Sequence, residues 1–169
     1  RVWDGVMSAA GSAARKRDDG DAFASSRSDE TFERALDATN GNLIWEHKRP
    51  EGTGPSRTKA LAIYEDLVLF TSPDGFVVGL DARTGAVRWE TKSPGALISG
   101  VIVADGKVIS GRACGRDREA CHISAHDART GRELWRFYTV PWAGEPGDDT
   151  WGGLAPERRL ASPWGLAGG

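Results

Sequence analysis

Three histidines, two cysteines and one cluster of mixed charges are the side chains here that could do chemistry. His47, His122, His126, Cys114 and Cys121 are potential metal ligands, but two cysteines are too few for a zinc cage. The histidines do not stand at ligand spacing with them. His122 and His126 are four apart, and on a strand an even offset places them on one face about 13 Å apart, too far to chelate together. Solvent-facing or sheet-packing roles are expected for all three. Cys114 and Cys121 enclose six residues between two predicted strands, so they either close one disulfide in an oxidising compartment or stay free thiols. Arg112, Arg116, Asp117, Arg118 and Glu119 read as a mixed, solvated loop. No Gly-x-Ser-x-Gly occurs, and no glycine loop precedes a helix, so serine-hydrolase and nucleotide readings lack support.

The elements that would position any site come from an internal repeat. Ala35-Leu36-Asp37-Ala38-Thr39-Asn40-Gly41 to Trp45 recurs as Gly79-Leu80-Asp81-Ala82-Arg83-Thr84-Gly85 to Trp89. It recurs again as Ala125-His126-Asp127-Ala128-Arg129-Thr130-Gly131 to Trp135. Asp and Trp are 8 residues apart each time, and the units step by 44 and 46 residues. A period of about 40–50 residues with short strands and turn signals marks a propeller blade. Leu61 to Tyr64 and Val68 to Thr71 are β-rich runs joined by Glu65-Asp66. Val101 to Ala104 and Lys107 to Ser110 are joined by Asp105-Gly106, a strong hairpin signal. Phe76 to Leu80 and His122 to His126 supply third strands, and a fourth strand carries each Trp. Val2 to Met7 reads as the first hairpin of the first unit.

The repeated residues have a physical job. Asp opens a turn by bonding its own backbone, Gly supplies a positive φ, and Trp buries a large flat surface against the next blade. Trp45, Trp89 and Trp135 are therefore expected in equivalent places between blades. The sequence predicts an all-β propeller fragment of about three four-stranded antiparallel blades. The first spans about 1–48 with an insertion at 8–33, the second about 58–92 and the third about 97–138. Residues 139–169 form a face loop leading into the next blade. Ser8 to Glu33 is rich in Ser, Ala, Arg and Asp, and reads as a long disordered insertion or a degraded segment. Pro141 to Pro163 shows no clear strand and reads as an ordered loop across one face.

The bulk numbers agree with one domain of 169 residues, 39% hydrophobic. Twenty-two basic and 24 acidic residues leave a net charge of -2, which argues against a nucleic-acid partner. No apolar run approaches the ~18 residues of a membrane helix. The chain begins at Arg1, as expected of a processed end or a cut fragment, so the lack of a visible signal peptide says little about compartment.

The repeat Ala-x-Asp-x-x-Thr-Gly-x-x-x-Trp resembles the tryptophan-docking motif of the pyrroloquinoline-quinone (PQQ) dependent alcohol, methanol and glucose dehydrogenases. The likeness runs through Arg57 to Tyr64, Ala104 to Gly111, Trp135 to Pro141, Gly144 to Trp151 and Ser162 to Gly165. The resemblance implies an eight-bladed propeller that holds PQQ on its axis beside a calcium or lanthanide ion. It also implies oxidation of an alcohol or sugar hydroxyl in the periplasm, with a cytochrome or ubiquinone as electron acceptor.

Carried over residue by residue, Trp164 falls on the tryptophan that stacks on the cofactor and Ser162 on a Thr that bonds it. Lys59 falls on an Arg at the quinone oxygens, and keeps the charge but not the planar fork. Ala113, Cys114 and Gly115 fall on a small-residue loop that wraps the cofactor's carboxylates. Several positions depart from the pattern. Ile98 replaces a Thr, the metal-binding Glu would fall near Arg116 with Asp117 or Glu119 as substitutes, and no adjacent-cysteine pair is present. The catalytic Asp, its Arg partner and the metal-binding Asn fall beyond Gly169. The rival expectation is a non-enzymatic docking-motif propeller that scaffolds assembly at the outer membrane. A decayed gene product is a third.

Overall fold

The computed structural model describes residues 7–8, 32–50, 61–94, 100–112 and 117–161. Among these residues, eleven strands form three antiparallel sheets, each in sequential order. Sheet 1 holds β1 (Met7–Ser8), β2 (Phe32–Leu36) and β3 (Leu43–Lys48). Sheet 2 holds β4 (Ala62–Tyr64), β5 (Leu67–Ser72), β6 (Phe76–Asp81) and β7 (Val87–Lys92). Sheet 3 holds β8 (Ile102–Ala104), β9 (Lys107–Gly111), β10 (His122–Asp127) and β11 (Glu133–Tyr138). Two sheets have the expected four strands, and the first has three among the described residues. β1 pairs with β2 through Met7↔Leu36 and Ser8↔Ala35. Residues 9–31, and 2–6 of the expected first hairpin, lie outside the described residues. No helix among the described residues is long and apolar enough to cross a membrane.

Local chemistry explains the hairpins. Asp105 and Gly106 sit at φ 49° and 68°, the left-handed pair that matches strand twist in a two-residue hairpin. Before each Trp strand, an Asp builds the turn. The Asp81 carboxylate accepts from Arg83 N at 3.0 Å, Thr84 N at 3.0 Å and Thr84 Oγ1 at 3.0 Å. Asp127 repeats this with Arg129 N and with Thr130 N and Oγ1. In the first unit the order shifts, and Asp37 takes Thr39 N and Oγ1 while Asn40 stands where the others have Thr. Each of the three turn carboxyls is held below the usual carboxylate range. Hydrogen bonds from Thr are the leading cause at Asp37 and Asp127, whereas at Asp81 burial opposes and is outweighed by hydrogen bonds from Arg83 N, Thr84 and the Arg88 side chain together.

The tryptophans lock sheet to sheet. Trp45 Nε1 donates to the Ala82 carbonyl at 3.0 Å, and Trp89 Nε1 donates to the Ala128 carbonyl at 3.1 Å. Each indole lies over the glycine of that same turn. A Cβ on Gly85 would approach Trp45 Cδ2 to 2.7 Å, and one on Gly131 would likewise strike Trp89. Those glycines are required twice, for their φ of 72° and 73° and for the space they leave. Opposite every Trp the register slips by one residue, at Ala35/Leu36, Gly79/Leu80 and Ala125/His126. Such a bulge increases the local twist and re-aims the outer strand.

Two cores result. Between sheets 1 and 2, Ala35, Trp45, Val68, Phe70, Val78, Leu80 and Ala82 pack together. Between sheets 2 and 3, Leu67, Leu69, Val77, Trp89, Val101, Val108 and Ala128 do so. Trp45 and Trp89 are 8% and 9% exposed, whereas Trp135 is 42% exposed, because no further sheet lies against β11 among the described residues. The expectation that all three sit between sheets therefore holds for two.

The segment after β11 has more structure than the sequence suggested. It contains a 3-10 turn (Asp148–Trp151) and a short helix, α1 (Pro156–Ala161). Pro156 opens the helix, where its missing N–H costs nothing. Arg159, nearly fully buried, fastens this segment by donating to the Pro141 carbonyl at 2.8 Å, the Leu154 carbonyl at 2.7 Å and Asp148 at 2.5 Å.

Candidate functional site

Strand direction divides the connections into two sets. The β4–β5, β6–β7, β8–β9 and β10–β11 hairpins lie at one end of the sheets. The β3–β4, β5–β6, β7–β8 and β9–β10 links, and the segment after β11, leave from the other. In chain order Lys59 belongs to the β3–β4 link, Ala113, Cys114 and Gly115 to the β9–β10 link, and Ser162 and Trp164 follow α1. All six cofactor candidates lie outside the described residues, as do Ile98 and Arg116. What the structure describes is the polar framework from which these links spring.

That framework begins between sheets 1 and 2. Arg49 donates to Glu90 at 2.6 Å and to Asp74 at 2.7 Å, joining the residue after β3 to β7 and to the β5–β6 turn. Its guanidinium also lies 5.1 Å from the Phe76 ring. Between sheets 2 and 3, His122 Nε2 meets Ser93 Oγ at 3.2 Å, while Nδ1 lies 2.7 Å from the Glu119 carbonyl oxygen. A carbonyl only accepts, so Nδ1 carries the proton and Ser93 donates to Nε2. Burial first, then the Arg136 charge, pushes the His122 pKa down, which keeps this arrangement neutral.

The largest departure from expectation is Arg112. The sequence placed it in a solvated charged loop, yet it is fully buried. Strand β9 runs one residue beyond its predicted end, to Gly111, and Arg112 continues the inward register of Val108 and Ser110. Its Nη1 donates to Ser110 Oγ at 2.7 Å and to the Gly111 carbonyl at 3.1 Å, and Nη2 to Ser124 Oγ at 3.3 Å. No carboxylate pairs with it among the described residues. Burial, followed by repulsion from Arg136, pushes its pKa down to about 10. His126 shares this face of β10 and is also fully buried, with Nε2 3.7 Å from Glu133. Burial pushes its pKa down to about 4 against the opposing pull of Glu133, so the ring is neutral near pH 7.

The rest of the charged loop is only partly solvated. Asp117 caps the 3-10 turn Arg118–Ala120 by accepting from Glu119 N at 3.0 Å. Arg118 stacks 4.1 Å from the Tyr138 ring and pairs with Glu145. Cys121 is disulfide-bonded, and Cys114 is the only other cysteine in the chain. Cys121 packs with Val140 under Trp151 and Leu160, so the β9–β10 link and the segment after β11 meet there.

These contacts decide how a metal ion would fare. Asp117 is spent on its cap, and Glu119 accepts from Tyr138 Oη at 2.7 Å with Arg136 3.7 Å away. No group of three or more His, Cys, Asp or Glu among the described residues could hold an ion.

Successive antiparallel sheets, joined by an indole-to-carbonyl lock over a left-handed glycine, define a segment of a β-propeller. Residues 2–99 and 28–146 match the family described as "Outer membrane protein assembly factor BamB". The chain belongs to this propeller family. It is 31% identical over 154 residues to quinohemoprotein alcohol dehydrogenase ADH IIB of Pseudomonas putida, covering 80% of this chain and 22% of that protein. Among solved structures, quinohemoprotein alcohol dehydrogenase ADHIIG of Pseudomonas putida matches with a TM-score of 0.57 and 28% identity, over 66% of this chain and 18% of that one. BamB of Moraxella catarrhalis matches at a TM-score of 0.51 and 20% identity, over 66% and 31%, a likeness of fold alone. The chain spans about a fifth of the length of the curated dehydrogenases it matches.

Proposed function

We propose that this chain is a propeller segment of a periplasmic PQQ-dependent dehydrogenase acting on an alcohol or sugar hydroxyl, and that it is inactive alone. The observation that carries the reading is the 31% identity to a quinohemoprotein alcohol dehydrogenase across 80% of the chain. It is supported by the ordered segment 141–161, which a sheet-only scaffold does not need. In this reading Trp164 stacks on the quinone ring, Ser162 bonds it, and Lys59 places a cation at its edge. The backbone of Ala113, Cys114 and Gly115 wraps its carboxylates. When bound, PQQ supplies the two-electron acceptor, and a cytochrome or ubiquinone takes the electrons onward. The calcium or lanthanide ion of the wider family gains no ligand from the described residues, and the general base is assigned to none of them. Without a base the hydroxyl proton has no acceptor of suitable pKa, and this costs orders of magnitude in rate.

The test is dye-linked alcohol or glucose oxidation with added PQQ and calcium or lanthanide. It compares these 169 residues with a longer chain that continues the propeller. The short chain is expected to neither turn over nor hold PQQ tightly, and the longer chain to do both. Turnover by the short chain defeats the assignment of catalysis to other blades. An inert longer chain favours the second reading, a non-enzymatic assembly scaffold, which the BamB description of the family supports.

A further inference from the structure

Three arginines are buried among the described residues, and they are not partnered alike. Arg49 donates to the carboxylates of Asp74 and Glu90, and Arg159 to that of Asp148. Arg112, the most deeply buried of the three at 0% exposure, meets only neutral acceptors. These are Ser110 Oγ, the Gly111 carbonyl and Ser124 Oγ, and its Nε has no partner. Arg136 repels it, and the attraction of Glu133 is weaker because that carboxylate already accepts from Arg136. The guanidinium nonetheless stays cationic at neutral pH, its pKa being pushed down only to about 10.

A buried charge without a counter-ion is costly, and an apolar side chain of similar volume avoids that cost. The fold does not demand a cation here, since the matching position of sheet 2 is the buried Ser72. Arg112 is fully buried within this chain, on the face that a complete four-stranded sheet 3 turns to a complete sheet 2. It directly precedes Ala113, Cys114 and Gly115. An extended chain advances at most about 3.6 Å per residue, so the Arg112 Cα is within about 11 Å of each of those backbones. Over that distance a charge held out of water acts strongly on another charge.

We propose that Arg112 is a counter-charge kept for a ligand bearing several carboxylates, which it attracts to the backbone following β9 through its field rather than by contact. This rests on the reading of residues 113–115 as the backbone that wraps the carboxylates of PQQ. Ser110 and Ser124 hold the guanidinium in place, so no movement precedes binding. The empty chain bears the cost of an unpaired buried cation, and the bound ligand relieves it, so the residue gives up stability for affinity.

Equilibrium dialysis with PQQ tests this on the longer chain that continues the propeller. Arg112→Met removes the charge at similar volume, and Arg112→Gln removes it while keeping donors for the two serines. Both are expected to weaken PQQ binding about tenfold or more. Without PQQ, Arg112→Met should unfold at the same urea concentration as the unsubstituted chain or a higher one. Full affinity in either variant overturns the proposal and leaves the PQQ reading intact. A Met variant that unfolds at lower urea overturns it too, because the arginine is then a structural clasp. An unsubstituted chain that binds no PQQ defeats the functional reading and this proposal with it. Circular dichroism reports whether each variant folds, and should one fail, the affinity of the other decides.

Discussion

The two sheet junctions share a frame and differ in filling. Facing sheet 1, sheet 2 presents Phe70, Val78 and Leu80, all within an apolar cluster. At the equivalent positions facing sheet 2, sheet 3 presents Ser110, Ser124 and His126, with Arg112 where sheet 2 has Ser72. Both junctions nonetheless carry the same indole bond, at 3.0 and 3.1 Å, over the same kind of glycine. The lock is made of backbone and one indole, so it sets the spacing between sheets whatever fills the rest. An apolar filling contributes by removing area from water; a polar one contributes only where its groups are satisfied. Both junctions hold buried polar atoms without a hydrogen-bond partner among the described residues: His47 Nε2, Arg49 Nε, Ser72 Oγ and Asp74 Oδ1 at the first, Arg112 Nε and both His126 ring nitrogens at the second.

The largest effect that would break this comparison is loss of the lock itself. Trp45→Ala and Trp89→Ala are each expected to cost about 3–5 kcal/mol in urea denaturation, because each removes a buried aromatic and leaves a cavity. Trp135→Ala should change stability by less than about 0.5 kcal/mol. Equal losses at all three positions would mean that sheet packing is not the indole's role.

The fillings themselves come next. Phe70→Ala should cost about 3–5 kcal/mol. Ser110→Ala, at the equivalent position, removes one acceptor from Arg112 and should cost about 1–3 kcal/mol. A reversed order would show that the polar junction is the better packed.

The pH dependence is the smallest effect and the most specific to the second junction. The folded-state pKa of His126, about 4, lies below its unfolded value of 6.5, so the unfolded chain binds more protons between those limits. Stability therefore rises with pH across that window and is lost as pH falls from 6.5 towards 4. The loss from this residue is at most on the order of 3 kcal/mol. His126→Leu, which installs the residue found at the matching position of sheet 2, should flatten the slope in chemical denaturation followed from pH 7 to 4. An unchanged slope would place the acid sensitivity elsewhere.

Residues whose role is local were legible in the sequence. Asp81, Gly85 and Trp89 each act through a turn, a dihedral or a flat surface, and their spacing alone exposed the repeat. The antiparallel hairpins followed from alternation and turn residues, with strand ends correct to within one or two positions. Arg112 was misread because charge usually means solvent. Burial there comes from strand β9 running on by one residue into a face shared with Ser110 and His126, which only the pairing register reveals. Of the two roles expected for the histidines, solvent-facing or sheet-packing, His122 and His126 take the second, fully buried between sheets. Helix α1 was missed because six residues carry too little periodicity to detect. The candidate site was legible only by family likeness, since Lys59, Ser162 and Trp164 carry no local signature of a cofactor.

One residue in each lock does double duty. The Ala82 carbonyl receives the indole of Trp45 while its N–H donates to the Asp66 carbonyl in the β4–β5 hairpin at 2.8 Å. Ala128 does the same between Trp89 and Gly106 at 2.9 Å. A sheet that loses its neighbour therefore loosens its own inner hairpin, and disorder is handed along the chain one sheet at a time. Stability then behaves as a row of nearest-neighbour couplings, much like spins in a one-dimensional magnet. Sheet 2, coupled on both sides and with every residue of β5 buried, is the last to let go.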